Sequence, residues 1–313
     1  MRIAVFGTGG VGGYFGGRLA EAGQDVTFIA RGEHLAAIRR GGLRVASTEG
    51  DFSIPAGVVR ATDSPAEVGP VDVVILGVKT WQVPEAAEAI RPMVGPETVV
   101  LPLENGVEAS DVLVAALGPE PVLGGLCAIV AMLEGPGRIR HAGVAPVVRF
   151  GELDNSRTER VEALRKAFAR CKGVTVDVPD DIESAIWKKF VFISAWSSVG
   201  SVTRAPIGVI RTLPESRQLL HTVLAEAIAL GRARGVQLPD DMQESTVAFY
   251  DATDPGNTAS MQRDVAAGKP SELESQTGAI VRLGAESGID TPAARFIYSA
   301  LLPGEKIARG EVS

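Results

Sequence analysis

The chain opens Arg2-Ile3-Ala4-Val5-Phe6-Gly7-Thr8-Gly9-Gly10-Val11-Gly12, and this stretch decides the fold. Residues 2–6 are a short β-favouring run with no room for a helical turn before the glycines. Residues 14–22 carry a helical pattern that stops at Gly23, and a second apolar strand follows, Asp25-Val26-Thr27-Phe28-Ile29-Ala30. The order is strand, G-x-G-x-x-G, helix, strand. Gly7 permits the tight turn, Gly9 lets a pyrophosphate approach the backbone, and Gly12 lets the helix pack close to the strand. The helix N-terminus then offers unpaired N–H groups and a positive dipole end to the phosphates. A glycine-rich turn alone is weak evidence, but here the spacing sits between two strands at the chain start, the context that a dinucleotide site requires.

The end of the second strand bears on the cofactor. NAD-binding chains place Asp or Glu there to hold the ribose 2′-hydroxyl. This chain has Ile29-Ala30-Arg31, with no carboxylate until Glu33. Arg31 is either a surface residue flanking a helix or a guanidinium fork for a 2′-phosphate. The missing carboxylate favours NADP(H) over NAD(H).

The rest of the first half alternates. Strands are expected over residues 71–77 and 98–103 and helices over 83–90 and 109–117, which is the doubly wound pattern of a parallel sheet. Further strands are expected at 122–130, 138–141 and 147–150, a helix at 159–172 and a closing strand at 174–178. Beyond Pro179 long helical patterns take over, at 181–199, 215–234, 240–247, 272–287 and 291–302, punctuated by Gly235, Gly288 and Pro292. We therefore expect an α/β, Rossmann-type domain over residues 1–179 and an all-helical substrate and catalytic domain over 180–313. The active site is expected in the cleft between them.

Composition agrees. A chain of 313 residues exceeds one usual core of roughly 100–200 residues, and 45% hydrophobic residues can fill two. The net charge of −7 argues against a nucleic-acid partner. Cys127 and Cys171 are the only cysteines, too few for a disulfide framework, which points to a reducing cytoplasm. The glycines arrive too early for a signal peptide. The longest uncharged apolar stretches, 121–133 and 190–203, fall short of the roughly 20 residues that span a bilayer. No membrane and no metal is expected.

Reduction of a carbonyl needs a proton source beside the hydride donor, and His is the usual one. His34, His141 and His221 sit in no suggestive motif. Lys189 is the alternative. Asp180 should cap its helix with Glu183 in the third position. Ile182, Ile186, Lys189, Ile193 and Ser197 share one otherwise largely apolar face, which Lys189 interrupts. It is either a desolvated lysine suited to proton transfer or a side chain that snorkels out of a packed face. Lys79 and Asn105-Gly106 end two successive strands beside the glycine loop. Asn-Gly forms a plain turn readily, but two polar strand ends there favour ligand contacts. Late in the chain, Ser271 and Glu274 have the spacing of a capping box, and the helix dipole alone would favour Glu272 in that first turn.

Together these residues resemble the ketopantoate reductase family (2-dehydropantoate 2-reductase) along nearly the whole chain, which implies a 6-phosphogluconate-dehydrogenase-like arrangement of the helical domain. Gly7-Thr8-Gly9-Gly10-Val11-Gly12 resembles its NADP loop and Arg31 its 2′-phosphate position. Lys79 and Asn105 resemble its cofactor and substrate contacts. Trp187-Lys188-Lys189-Phe190 is similar to its Trp-Arg/Lys-Lys segment, whose second basic residue is the catalytic lysine, which selects Lys189. Asn257-x-x-Ser260-Met261-x-x-Asp264 with Glu272 resembles its C-terminal signature. The resemblance implies that Ser260 binds the substrate carboxylate, with Asn257 beside it, and that Glu272 meets both the cofactor end of the site and the lysine. One departure stands out. Where the family carries Asn four and eight residues beyond the lysine, this chain has Ile193 and Ser197. A lost hydrogen-bond partner changes substrate preference strongly.

The expected function is NADPH-dependent reduction of a small 2-oxo acid, ketopantoate to pantoate in pantothenate biosynthesis. The alternatives are a bulkier or more apolar keto acid or an imine, and, in another class, a non-catalytic NADP(H)-binding or sensing protein. Family analogy favours a homodimer.

Overall fold

The computed structural model describes residues 1–312 of the chain. It divides into two compact units: Met1–Glu104 with Glu108–Ala185, and Asn105–Val107 with the chain from Ile186 onward. The strands are β1 (Arg2–Phe6), β2 (Asp25–Ile29), β3 (Leu43–Ser47), β4 (Phe52–Ile54), β5 (Arg60–Thr62), β6 (Val73–Leu76), β7 (Val99–Pro102), β8 (Leu123–Gly135), β9 (Arg138–Glu152) and β10 (Thr175–Asp177), all in the first unit. Its helices are α1 (Gly10–Glu21), α2 (Gly32–Gly41), α3 (Pro65–Val68), α4 (Val83–Ala89), α5 (Ala109–Leu117) and α6 (Glu159–Phe168).

Five strands make a parallel sheet in the order β5-β2-β1-β6-β7. Successive residues feed opposite faces. Ile3, Val5, Val73, Ile75, Val99 and Leu101 enter one core, while Ala4, Phe6, Val74, Leu76 and Val100 enter another. A parallel sheet joined by helical crossovers is covered on both sides, so β6 and β7 are apolar at every position and β1 is so after Arg2.

The second sheet is the main departure from expectation. The strands expected at 122–130, 138–141 and 147–150 are one long antiparallel hairpin, β8 of 13 residues and β9 of 15. Register shifts between Ala128 and Val130 and between Leu133 and Gly135 interrupt its pattern. β9 also pairs in parallel with β3 and β10, and β3 with β4 antiparallel.

Helix α1 lies between the two sheets, and its five glycines in 12 residues explain how. A β-carbon on Gly16 would stand 2.6 Å from the Val5 side chain in the first sheet. One on Gly17 would stand 2.8 Å from the Phe52 ring and one on Gly13 2.1 Å from Ile139, both in the second sheet. Arg18, 1% exposed, fastens this helix to the β3–β4 turn. It donates to the carbonyls of Gly50 at 2.8 Å and Glu49 at 3.2 Å and to Glu21 Oε2 at 2.8 Å, with its guanidinium 4.2 Å from the Phe52 ring centroid.

The second unit contains, among the described residues, helices and no strand: α7 (Ile182–Thr203), α8 (Ile207–Thr212), α9 (Pro214–Ala233), α10 (Met242–Ala252), α11 (Ser260–Ala266), α12 (Thr277–Glu286) and α13 (Pro292–Ala308). α7 starts in the first unit and continues into the second from Ile186. Its cap is Asp181, whose Oδ1 accepts from the Ser184 N–H at 2.8 Å; Asp180 pairs instead with Arg157. The Ser271–Glu274 capping box does not form either. Buried Ser271 is held by the Glu305 carboxylate, Glu274 accepts from the Tyr298 hydroxyl, and α12 begins only at Thr277. Glu226, itself buried, accepts from the N–H groups of Ala293 and Ala294 and so caps α13. No helix among the described residues is long and apolar enough to cross a membrane.

Arg18→Ala leaves two carbonyls and a glutamate without their donor and empties the space over Phe52. We expect it to lower stability by about 2–4 kcal/mol in urea unfolding, with Arg18→Lys restoring less than half, because an ammonium lacks the guanidinium fork.

Candidate active site

The order of the parallel sheet reverses between β1 and β6, the position where doubly wound folds bind ligands. The loop after β1 turns at Gly7, with φ +95°. The first helical bond of α1 runs from the Gly13 N–H to the Gly9 carbonyl at 2.9 Å, so the N–H groups of Gly10, Val11 and Gly12 have no intrahelical acceptor. No acidic residue occupies the first turn. A β-carbon on Gly12 would stand 2.3 Å from the Gly7 carbonyl oxygen, whereas one on Gly9 would meet only the Gly77 carbonyl oxygen at 3.9 Å. Gly12 therefore serves the packing and Gly9 leaves open space over the helix end. Thr8 is buried, and its hydroxyl donates to the Ile29 carbonyl at 2.9 Å. Its side chain anchors the loop to β2, which leaves a backbone role toward a ligand.

Glu104, just before Asn105, is a residue that the sequence pattern does not single out. Its carboxylate accepts from the Val78 N–H at 3.1 Å and the Leu103 N–H at 3.0 Å, tying together the ends of β6 and β7. The Lys79 N–H donates to Gln82 Oε1 at 3.1 Å, and its ammonium lies 5.8 Å from the Trp81 ring centroid. Arg31, at the N-cap of α2, is exposed and forms an ion pair with Glu85 of α4 at 3.6 Å. His34 is structural. Its Nδ1 accepts from the Gly137 N–H at 3.0 Å, so the proton sits on Nε2, which is buried near the Thr8 backbone without a hydrogen bond of normal geometry. Burial lowers its pKa below 6.5, with the Thr8 backbone pulling the other way.

In the second unit, Lys188 is exposed and Lys189 half-buried. The expected apolar stripe is sealed only at Ile182 and Ser197; Ile186, Lys189 and Ile193 are half-buried. Ser197 is fully buried and its hydroxyl has no partner. Ser194 and Ser201, on the same face of α7, are in the same state, as is Gln262 Oε1, which lies against Gly200. An unmet buried hydroxyl costs roughly 1–3 kcal/mol, so three such groups along one helix, with an unmet amide oxygen from α11 against it, are a feature to explain.

Asn105 and Glu272 are brought together although 167 residues separate them. The Asn105 amide donates to Glu272 Oε2 at 2.8 Å, and the Gln276 amide donates to the same oxygen at 3.2 Å. Glu272 is 6% exposed. Gln276 escaped the sequence reading because its role depends on the turn that replaces the first turn of the expected helix. Ser260 is half-buried at the start of α11 and Asn257 is exposed, its carbonyl accepting from the Ile207 N–H at 3.0 Å.

A parallel sheet with a glycine loop at its reversal point, followed by a helical unit holding a buried carboxylate–amide pair, defines the class of two-domain dinucleotide-binding proteins. Two family descriptions match the chain, Ketopantoate reductase PanE/ApbA over residues 3–155 and Ketopantoate reductase PanE/ApbA C terminal over residues 181–305. The chain belongs to the ketopantoate reductase family. It is 31% identical over 299 residues to the 2-dehydropantoate 2-reductase of Caulobacter vibrioides, covering 96% of this chain and 97% of that one. It is 32% identical over 301 residues to a Bacillus subtilis protein called uncharacterized oxidoreductase YkpB, covering 96% and 98%. The crystal structure of a PanE/ApbA family ketopantoate reductase from Ralstonia eutropha JMP134 matches with a TM-score of 0.88 and 32% identity, over 99% of this chain and 100% of that one. The chemistry is thus that of an oxidoreductase of the ketopantoate reductase type, reduction of a 2-oxo acid with NAD(P)H.

Two outcomes follow. Gly12→Ala should lower stability measurably in thermal unfolding, whereas Gly9→Ala should hold it within about 0.5 kcal/mol and weaken nucleotide binding instead, read by titration calorimetry. Because the folded pKa of His34 is depressed, its contribution to stability is present above about pH 6.5 and is lost as pH falls through the folded value. A His34→Gln variant should show a flatter decline in stability between about pH 7 and 5 than the parent.

Proposed function

We propose that this chain reduces 2-dehydropantoate (ketopantoate) to pantoate with NADPH, the reductive step of pantothenate biosynthesis. The observation that carries the proposal is the buried Glu272 carboxylate, accepting amide N–H groups from Asn105 and Gln276 in the same unit as Lys189. Lys79 and Asn105 contact the cofactor, and Asn105 also orients the keto oxygen. Ser260 and Asn257 receive the substrate carboxylate, Lys189 donates a proton to the oxygen as negative charge develops there, and Glu272 orients Lys189.

The nucleotide end supports the cofactor. The α1 N-terminus has no acidic residue in its first turn, space lies open over Gly9, and Arg31 stands where an NAD-binding chain carries a carboxylate. Bound NADPH supplies a hydride to the keto carbon. Residues 1–179 are assigned to the cofactor and 180–313 to substrate and catalysis, with Asn105 joining the second group as it does in the structure.

A second reading rests on Ile193 and Ser197. Half-buried Ile193 offers no hydrogen bond, and the unpartnered Ser197 hydroxyl awaits one polar group. That pairing suits a keto acid or imine with a bulkier, more apolar side chain.

Lys189→Ala should lower kcat about 10²–10⁴-fold while NADPH binds with unchanged affinity, measured by NADPH oxidation and by calorimetry. Unchanged turnover removes Lys189 from the mechanism. Ketopantoate run beside a panel of 2-oxo acids decides between the readings, since efficient turnover at micromolar KM rules out the bulkier substrate.

A further inference from the structure

The ion pair between Arg31 and Glu85 crosses the mouth of the glycine loop. Arg31 follows β2 and Glu85 lies in the first turn of α4, the helix after β6. β2 and β6 are the two neighbours of β1, one on each side. All three strands are parallel, so the chain leaves them at the same edge, and two strand spacings, roughly 9–10 Å, separate the outer ends. Two long side chains bridge that gap above the loop after β1, meeting at 3.6 Å. Both are mostly exposed, 67% for Arg31 and 71% for Glu85. An exposed pair at that distance adds little to stability and is weakened by salt. Glu88, one turn further along α4, is already engaged by Arg91 at 2.6 Å and 2.9 Å, whereas Glu85 has Arg31 as its ionic partner.

We propose that Glu85 is a specificity-determining residue that acts as a latch, occupying Arg31 until the 2′-phosphate of the nucleotide displaces it. The inference rests on the NADP(H) assignment of Arg31. A phosphate takes the guanidinium fork with two oxygens and a larger charge, so it outcompetes one carboxylate. The displaced Glu85 then remains beside the phosphate as a like charge, which subtracts from its binding. A nucleotide without the 2′-phosphate neither displaces the carboxylate nor meets that repulsion. Glu85 thus narrows the gap between the two nicotinamide cofactors without touching the reacting atoms.

The test uses 2′,5′-ADP and 5′-AMP as probes, bound to the full chain and followed by titration calorimetry. Glu85→Gln should tighten 2′,5′-ADP about three- to tenfold at low ionic strength, leave 5′-AMP within about twofold, and lose most of the gain near ~0.5 M salt. Arg31→Ala separates the two claims. If Arg31→Ala leaves the preference for 2′,5′-ADP intact, Arg31 is not the partner of the 2′-phosphate; if the parent shows no preference for 2′,5′-ADP, the NADP(H) assignment fails. If Arg31→Ala abolishes that preference but Glu85→Gln leaves 2′,5′-ADP unchanged, weakens it, or tightens both probes equally, the latch is overturned. Both residues are exposed, so a thermal melt matching the parent's confirms that the variants report binding.

Discussion

The first unit depends on how closely α1 approaches the backbone on both sides. A helix with five glycines in 12 residues is intrinsically poor, since each glycine costs about 1 kcal/mol relative to alanine. Packing compensates. Gly12 and Gly16 meet the β1 side, and Gly13 and Gly17 meet the second sheet, at separations that no side chain would allow. The N-terminus of α1 is fixed in direction and depth as a result. Its unpaired N–H groups emerge at the edge where the parallel sheet reverses. The glycine loop presents its N–H groups at a fixed place because the helix behind it cannot retreat.

That constraint explains what the sequence disclosed and what it withheld. The spacing of Gly7, Gly9 and Gly12 disclosed the first βαβ unit because a backbone requirement admits one residue type. β6 and β7 were legible because burial on both faces demands unbroken apolar runs. The second sheet was not. Its strands β3 and β4 are five and three residues long and partly exposed, and the hairpin β8–β9 changes register, so no clean alternation survives. Asp180 read as the cap because Glu183 stands three residues on, but Arg157 takes Asp180 and Asp181 caps the helix through the Ser184 N–H instead. The Ser271–Glu274 box failed for a similar reason, since Glu305 and Tyr298 took both partners from other helices.

Within the second unit the polar groups are long-range in sequence, which limits what periodicity can reveal. Asn105 reaches Glu272 across 167 residues, and Gln276 joins them from a turn. Helical periodicity placed Lys189, Ile193 and Ser197 on one ridge of α7, and the structure keeps them there. It could not show that Ser194, Ser197 and Ser201 would be buried with unmet hydroxyls. Such groups are destabilising unless something polar reaches them.

The two units solve recognition by different physical means. The proposed nucleotide contacts at α1 are backbone N–H groups, which no side-chain substitution removes, and they are supported by glycines whose replacement damages the packing itself. The proposed substrate contacts are side chains on α7 and α11, where one substitution alters the count of hydrogen bonds directly. An isoleucine at 193 removes a donor and an acceptor from that count, and a serine at 197 moves one closer to the helix axis. A site of this design can exchange substrates by changing residues on α7 while its cofactor loop stays mechanically locked. In the proposed assignment, specificity for the cofactor falls to the exposed groups that border the loop, where Arg31 and Glu85 meet and where charge, rather than packing, sets the outcome.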